Sequence, residues 1–289
     1  MYQIKAEFKK TELNEPELKK LQSRNSELKL ELRQTALFWL CESSAQHKAQ
    51  GVRKLAAEQD YVVDTHAQLV ATQAIPGRPK KPELVSPRNV PKRNMRTLEG
   101  RAVMIHALAH IEFNAINLAL DAIWRFSDMP ASYYTDWLKV GVEEAYHFTL
   151  LNEHLASMGY QYGDFTGHDS LWEMVDRSKN NVLARMALVP RTMEARGLDA
   201  SPALRSKLSQ AGDSKAAAIL DIILRDEIGH VAIGNRWFNW LCEQRGLEPI
   251  EAYEQLAIQY SAPKLRAPFN IEARLQAGFT QAEIEKLMG

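Results

Sequence analysis

The sequence predicts an all-α protein, a four-helix bundle with additional N- and C-terminal helices, and three observations carry that expectation. Residues 1–75 are rich in Lys, Glu, Leu, Gln and Ala with almost no glycine, a composition that favours helix. From Thr97 onward, long stretches repeat their apolar residues at helical spacing between recognisable caps and stops. Two Glu-x-x-His motifs, Glu144-Ala-Tyr-His147 and Glu227-Ile-Gly-His230, each follow a lone glutamate, Glu112 by 32 positions and Glu194 by 33. That near-equal spacing is a repeat of chemistry, and it suggests two helical hairpins facing one another.

Taken in order, Lys19 to Leu40 and Ala49 to Ala71 read as packing helices, the first around Leu21, Leu28, Leu32 and Leu40, the second around Val52, Leu55, Ala56, Val63 and Leu69. Residues 76–96 change character. Pro76, Pro79, Pro82, Pro87 and Pro91 forbid a helix, and Arg78, Lys80, Lys81, Arg88, Lys92 and Arg93 face a single acid, Glu83, so this is a basic extended arm. Such an arm wraps a bundle with its charges in water or binds phosphate or RNA. Residues 97–246 hold the bundle. Thr97 caps the first helix, which ends near Phe126; Asp128-Met-Pro130 turns the chain, and the second helix runs from about Ala131 to Met158 before Gly159 stops it. So short a turn makes the two helices antiparallel neighbours and puts Glu112 level with Glu144. Gly159 to Asp169 is a connection, and Ser170-Leu-Trp-Glu173 reads as a capping box opening the third helix. For Glu194 to stand level with Glu227, that helix must break at Gly197 to Pro202 and resume from Ala203 to Gln210. The fourth helix runs from about Ser214 to Arg245, stopped by Gly246 and Pro249, and residues 247–289 form a C-terminal helical extension.

Lys+Arg equals Asp+Glu at 36 each, so no overall field draws the chain to nucleic acid or membrane. Cys41 and Cys242 are far apart and exclude a cysteine-based zinc or iron-sulfur site. No apolar core of a signal peptide stands at the N-terminus and no uninterrupted apolar run reaches the length of a membrane span, so the expectation is a cytoplasmic protein without a membrane partner.

Glu112, Glu144, His147, Glu194, Glu227 and His230 together form the ligand pattern of di-metal carboxylate bundles of the ferritin-like type: one glutamate on each of two helices and a Glu-x-x-His on each of the others. Two divalent ions carry four positive charges and four carboxylates cancel them. Mixed oxygen and nitrogen donors suit two iron ions, with manganese or a mixed iron/manganese pair as the alternative. Glu144 and Glu227 are expected to bridge, with His147 and His230 giving one nitrogen per metal. Asp226 and Glu143, each just before a bridging glutamate, are placed to hydrogen-bond the distal nitrogen of a histidine on a neighbouring helix. The competing reading of the six residues is a buried ion-pair network with Arg185, Arg191, Arg196 or Arg225. His106 and His110 share a face away from Glu112 and read as hydrogen-bonded core or surface residues, His154 as packing or pocket lining, and Trp137 and Gly234 as core or as walls of a cavity beside the metals.

Pro76-Gly-Arg-Pro, Pro82-Glu-Leu-Val, Leu98-Glu-Gly-Arg, His106-Ala-Leu-Ala-His110-Ile-Glu, Val189-Pro-Arg-Thr-Met-Glu-Ala-Arg-Gly-Leu-Asp199 and Arg225-Asp-Glu-Ile-Gly-His230-Val resemble the bacterial ferritin-like family catalogued as domain of unknown function 455. The resemblance runs from about Leu37 to the end and implies a di-metal site at the same six residues. A more distant likeness is to the di-iron tRNA-modifying hydroxylase. The functional expectation is a non-haem di-iron oxygenase or hydroxylase that uses dioxygen, an electron donor and a small organic substrate held near the broken third helix. Ferroxidase or manganese-catalase activity, or RNA binding (tRNA through the basic arm) with structural metals, are the alternatives.

Overall fold

The computed structural model describes residues 30–57, 61–91 and 94–289. Among them every regular element is helical: α1 Leu32–Cys41, α2 Ala45–Lys54, α3 Leu98–Arg125, α4 Ala131–Ser157, α5 Ser170–Arg177, α6 Val182–Leu188, a π-helical turn Val189–Glu194, α7 Ala195–Gln210, α8 Ser214–Gln244, α9 Pro249–Gln259, α10 Ile271–Gln276 and α11 Gln281–Met288. The all-α bundle expected from the sequence is what the chain forms. Leu21 and Leu28, placed by sequence on the first helix, and Lys92 and Arg93 of the arm lie outside the described residues.

Helices α3 and α4 form an antiparallel hairpin. Thr97 Oγ1 accepts from the Gly100 N–H at the start of α3, and Gly159 adopts φ +85° just beyond α4, a left-handed conformation that glycine takes without steric cost. Leu98–Arg125 is apolar and long enough to cross a membrane by composition, yet 83% of its most apolar window is buried inside the protein, as suits a central bundle helix. Helix α8 packs on both α4 and α7, which closes the bundle.

Several expectations are corrected. The predicted first helix does not run through from Lys19: Glu31 is extended and caps a new start, accepting from the Arg33 and Gln34 N–H groups. The second predicted helix ends at Lys54, followed by a single 3-10 turn, and residues 61–75 contain no helix. Instead, Val62 exchanges backbone hydrogen bonds with Leu30 and Leu32. The buried Arg33 guanidinium donates to the carbonyls of Asp64 (2.9 Å) and Ala67 (2.8 Å), and also to that of Trp124 (2.8 Å) at the end of α3. One side chain thus satisfies the segment's carbonyls and the orphaned last turn of a helix about ninety residues away.

The third predicted helix is interrupted where continuity was expected and continuous where a break was expected. Ser170 is its first helical residue rather than its cap; the cap position falls to Asp169, whose side chain makes no capping hydrogen bond and pairs instead with Arg78 at 2.6 Å. The helix stops at Arg177. Asn181 caps α6 anew, while Arg185 donates from Nε to Ser178 Oγ (3.0 Å) and from Nη2 to the Val175 carbonyl (2.8 Å), stabilising the break. Helix α7 then passes unbroken through Gly197 and Pro202. Pro202 has no N–H to give the Leu198 carbonyl, and Asn270 Nδ2 from the C-terminal segment donates to it at 3.2 Å.

The irregularity in this helix lies on the other side of Glu194. Pro190, which lacks an N–H, sits within the π-helical turn, where Ala195 N–H reaches back to the Pro190 carbonyl and Thr192 Oγ1 donates to the Ala187 carbonyl at 2.9 Å. Gly234 on α8 makes room for it. A Cβ there would meet Pro190 Cβ at 2.3 Å and Cγ at 2.5 Å, so Gly234 is a close-approach position and not a cavity wall. Gly234→Ala is therefore expected to destabilise the protein by about 1–3 kcal/mol, read as a lowered chemical-denaturation midpoint.

The tail is fastened by two buried arginines. Arg274 donates to Asp199 with Nε (3.0 Å) and Nη2 (2.7 Å), and Arg191 pairs with Glu283, which also completes the capping box of Thr280.

A candidate metal centre

Four helical segments each bring one part of the acidic cluster. Glu112 comes from α3, Glu144 and His147 from α4, Glu194 from the last position of the π-helical turn, and Glu227 and His230 from α8. All six are buried. Ligand atoms of Glu112, Glu144, His147 and Glu227 lie within 4.8 Å of one another. His230 joins them with Nδ1 3.0 Å from Glu144 Oε1 and 3.7 Å from Glu227 Oε1. Glu194 stands beyond that group of four but close enough to Glu227, Glu144 and His230 to feel their charges.

The two histidines are oriented from outside the cluster. His147 Nε2 donates to Asp226 Oδ2 at 3.0 Å, and His230 Nε2 donates to Glu143 Oε2 at 2.9 Å. Each imidazole is thus held by the acid that immediately precedes the glutamate of the opposite Glu-x-x-His. With Nε2 protonated, both Nδ1 lone pairs face inward. Asp226 is itself held by Arg225, whose Nε donates to Oδ1 at 2.8 Å. Burial pushes the Asp226 carboxyl up, but Arg225 and His147 outweigh it and leave it below its usual range.

The interior of the cluster is rich in buried polar atoms without hydrogen-bond partners: Glu112 Oε2, both carboxylate oxygens of Glu144 and of Glu194, Glu227 Oε2, and Nδ1 of His147 and His230. Buried polar groups are normally satisfied, because each one left unpaired costs about 1–3 kcal/mol. A concentration of orphaned oxygen and imidazole atoms on four facing helices fits metal ions. No arginine fills that role among the described residues: Arg185 pairs with Asp121, Arg191 with Glu283 and Arg225 with Asp226.

Protons occupy the cluster when no cation does. Burial, and then the neighbouring Glu144 charge, raises the carboxyl of Glu112 well above its ordinary value; burial followed by Glu227 does the same for Glu194, and burial followed by Glu144 raises Glu227. Glu144 goes the other way. Burial would raise it too, but charged His230 and the close approach of both imidazoles hold it well below the usual range. Burial opposes charging of His147, yet Glu112 and Glu144 lift it to about 11, and Glu144 and Glu143 lift His230 in the same direction.

The remaining histidines are placed elsewhere. His106 Nε2 accepts from the Gly163 N–H at 3.0 Å, His110 pairs through Nδ1 with the Tyr162 hydroxyl at 2.8 Å, and burial depresses both to about 4. His154 ties the end of α4 to Asp213 at 2.9 Å. Trp137 is buried beside Tyr133 in the core. Sequence reasoning did not single out the π-helical turn that presents Glu194. Its signal was Val189-Pro190 inside an otherwise helical run.

Truncating the outer partner of one histidine tests the orientation it provides. Asp226→Ala is expected to lower metal affinity by about 10–100-fold while retaining the fold, measured by competition with a chromophoric chelator.

A family model described as "Protein of unknown function (DUF455)" matches residues 41–285. An uncharacterized protein of Haemophilus influenzae is 50% identical over 225 residues, covering 75% of this chain and 78% of that one. No solved structure matches the chain.

Proposed function

The chain belongs to the DUF455 family, and we propose that it is a ferritin-like di-metal carboxylate oxidoreductase, a dioxygen-activating oxygenase or hydroxylase of a small organic substrate with two iron ions as its cofactor. The observation that carries this reading is the group of buried, partnerless oxygen and nitrogen atoms contributed by four helical segments. Glu112, Glu144, Glu194 and Glu227 would hold the two metals through their carboxylates, with His147 and His230 giving one nitrogen each.

Four carboxylates and two neutral imidazoles would balance two divalent ions and leave the core near neutrality, which an apolar bundle tolerates far better than a net charge. Bound iron would supply Lewis acidity and reducing electrons for dioxygen. The chain supplies the rest. Asp226 and Glu143 keep the distal protons on His147 and His230, so that the inward nitrogens remain free to ligate. Glu194 closes the π-helical turn, the irregular part of its helix, and this is where the proposed organic substrate would approach.

The test is anaerobic loading of the metal-free chain with ferrous iron, followed by oxygen. An iron-dependent absorbance change is expected; its absence in a protein that retains two irons per chain would overturn the oxygenase reading. Metal analysis of protein purified without added metal separates the alternatives. Manganese together with rapid peroxide disproportionation would favour a catalase.

A further inference from the structure

A second candidate site lies away from the carboxylate cluster. Helix α9, the link that follows it and the C-terminal helices line a half-open cavity of about 540 Å³. That size is in the range of small-molecule pockets. Tyr253 and Ala257 of α9, Leu265 of the link and Phe279 give it apolar walls, and Arg191, from the π-helical turn, lines it as well.

Arg191 is the polar group that the surrounding protein leaves incomplete. Its side chain is buried, with the guanidinium 4.5 Å from the Phe238 ring centre, 5.0 Å from Phe279 and 5.5 Å from Tyr253. Nη1 donates to Asn235 Oδ1 at 2.8 Å and Nη2 donates to Glu283, but the buried Nε has no acceptor. The other lining charges are also unequal. Lys286 is matched by Glu254 and Arg274 by Asp199, whereas Lys264 has no carboxylate partner among the described residues. A buried donor without an acceptor and one uncompensated cation therefore line the same apolar cavity.

We infer that this cavity binds a small organic monoanion with an apolar body, its carboxylate recognised by Arg191 and Lys264 and its body lying against Tyr253, Ala257 and Phe279. Nη1 and Nη2 stay with Asn235 and Glu283, and the Nε–H that lacks an acceptor is the donor Arg191 offers, while its face packs on aromatic rings. The bound ligand rests on the turn that also carries Glu194, three residues on from Arg191.

Isothermal titration calorimetry of the full, metal-loaded chain with octanoate tests the assignment, with octanol as the uncharged match in tail length. Saturable one-to-one binding of octanoate is expected, with octanol at least about tenfold weaker. Lys264→Ala, an exposed position, is expected to weaken octanoate binding at least about tenfold, and Ala257→Trp, which fills the cavity, to abolish it. Metal content should be unchanged in both variants. No saturable octanoate binding, equal affinity for octanol, or full affinity in Lys264→Ala would overturn the inference. Should Ala257→Trp fail to fold, the Lys264→Ala and octanol comparisons still decide it. The calorimetry reads binding alone, so a negative result leaves the metal reading where it stood.

Discussion

Glu144→Ala is expected to lose stoichiometric metal, while His106→Ala, on the neighbouring helix, keeps it. Glu144 is fully buried, neither of its oxygens has a hydrogen-bond partner, and it lies against His147 and His230. Its removal takes away the one carboxyl that stays charged among protonated neighbours. In the proposed site it would also take away a carboxylate ligand. The loss in affinity should therefore exceed the roughly 10–100-fold that follows loss of an outer hydrogen-bond partner. His106 is buried too, but it is tied to the Gly163 backbone and not to the cluster. Its truncation costs stability without changing metal content, and elemental analysis of the two variants gives the comparison. Equal loss in both would sink the ligand assignment.

Removing metal is expected to lower stability and to reverse its dependence on pH. At metal concentrations a thousandfold above the dissociation constant, binding stabilises the folded state by about 4 kcal/mol. For a chain of this size that is a fall in Tm on the order of 10 °C when the metal is stripped. The pH sign follows from the protons held by the metal-free cluster. His147 titrates at about 11 in the fold against 6.5 in its ordinary state, and His230 is raised in the same direction. Their contribution is complete below pH 6.5 and is lost as pH rises toward 11. Raised Glu112, Glu194 and Glu227 act with the same sign, because the folded chain again binds more protons than the unfolded one. Buried Lys48, lowered to about 7 by desolvation, opposes them with a single proton. The metal-free protein should thus lose stability between pH 6.5 and 9. Metal competes with those protons, so the loaded protein should gain stability over the same interval. Urea midpoints measured across that range with and without metal give the two slopes, and parallel slopes would count against a metal held by these residues.

How far the sequence reaches can be judged from particular residues. Thr97, Gly159, Gly246 and the short turn after Phe126 act locally, and the long helices begin and end within a residue or two of the positions those signals predict. The two Glu-x-x-His motifs carry their own helical spacing, so their convergence follows once the hairpins form. What was not legible depends on partners remote in the chain. Ala49 to Ala71 carries helical periodicity, but its second half is held out of helix by Arg33, which takes the Asp64 and Ala67 carbonyls and reaches at the same time to the end of α3. Pro202 reads as a break, yet Asn270, far along the sequence, supplies the hydrogen bond that lets α7 continue. The π-helical turn depends on Pro190 meeting Gly234 across two helices, and neither residue alone announces it.

The crossed pairing of Glu143 with His230 and Asp226 with His147 also fixes how two helices of the bundle are aligned. Because the partners run in opposite directions along the chain, α4 and α8 are antiparallel here. The same alignment continues to Asp136, which accepts from Trp237 Nε1 at 2.8 Å. A slide of one residue along either axis is about 1.5 Å and would break all three links together. The three links together hold α4 and α8 in a single register and resist their sliding past one another.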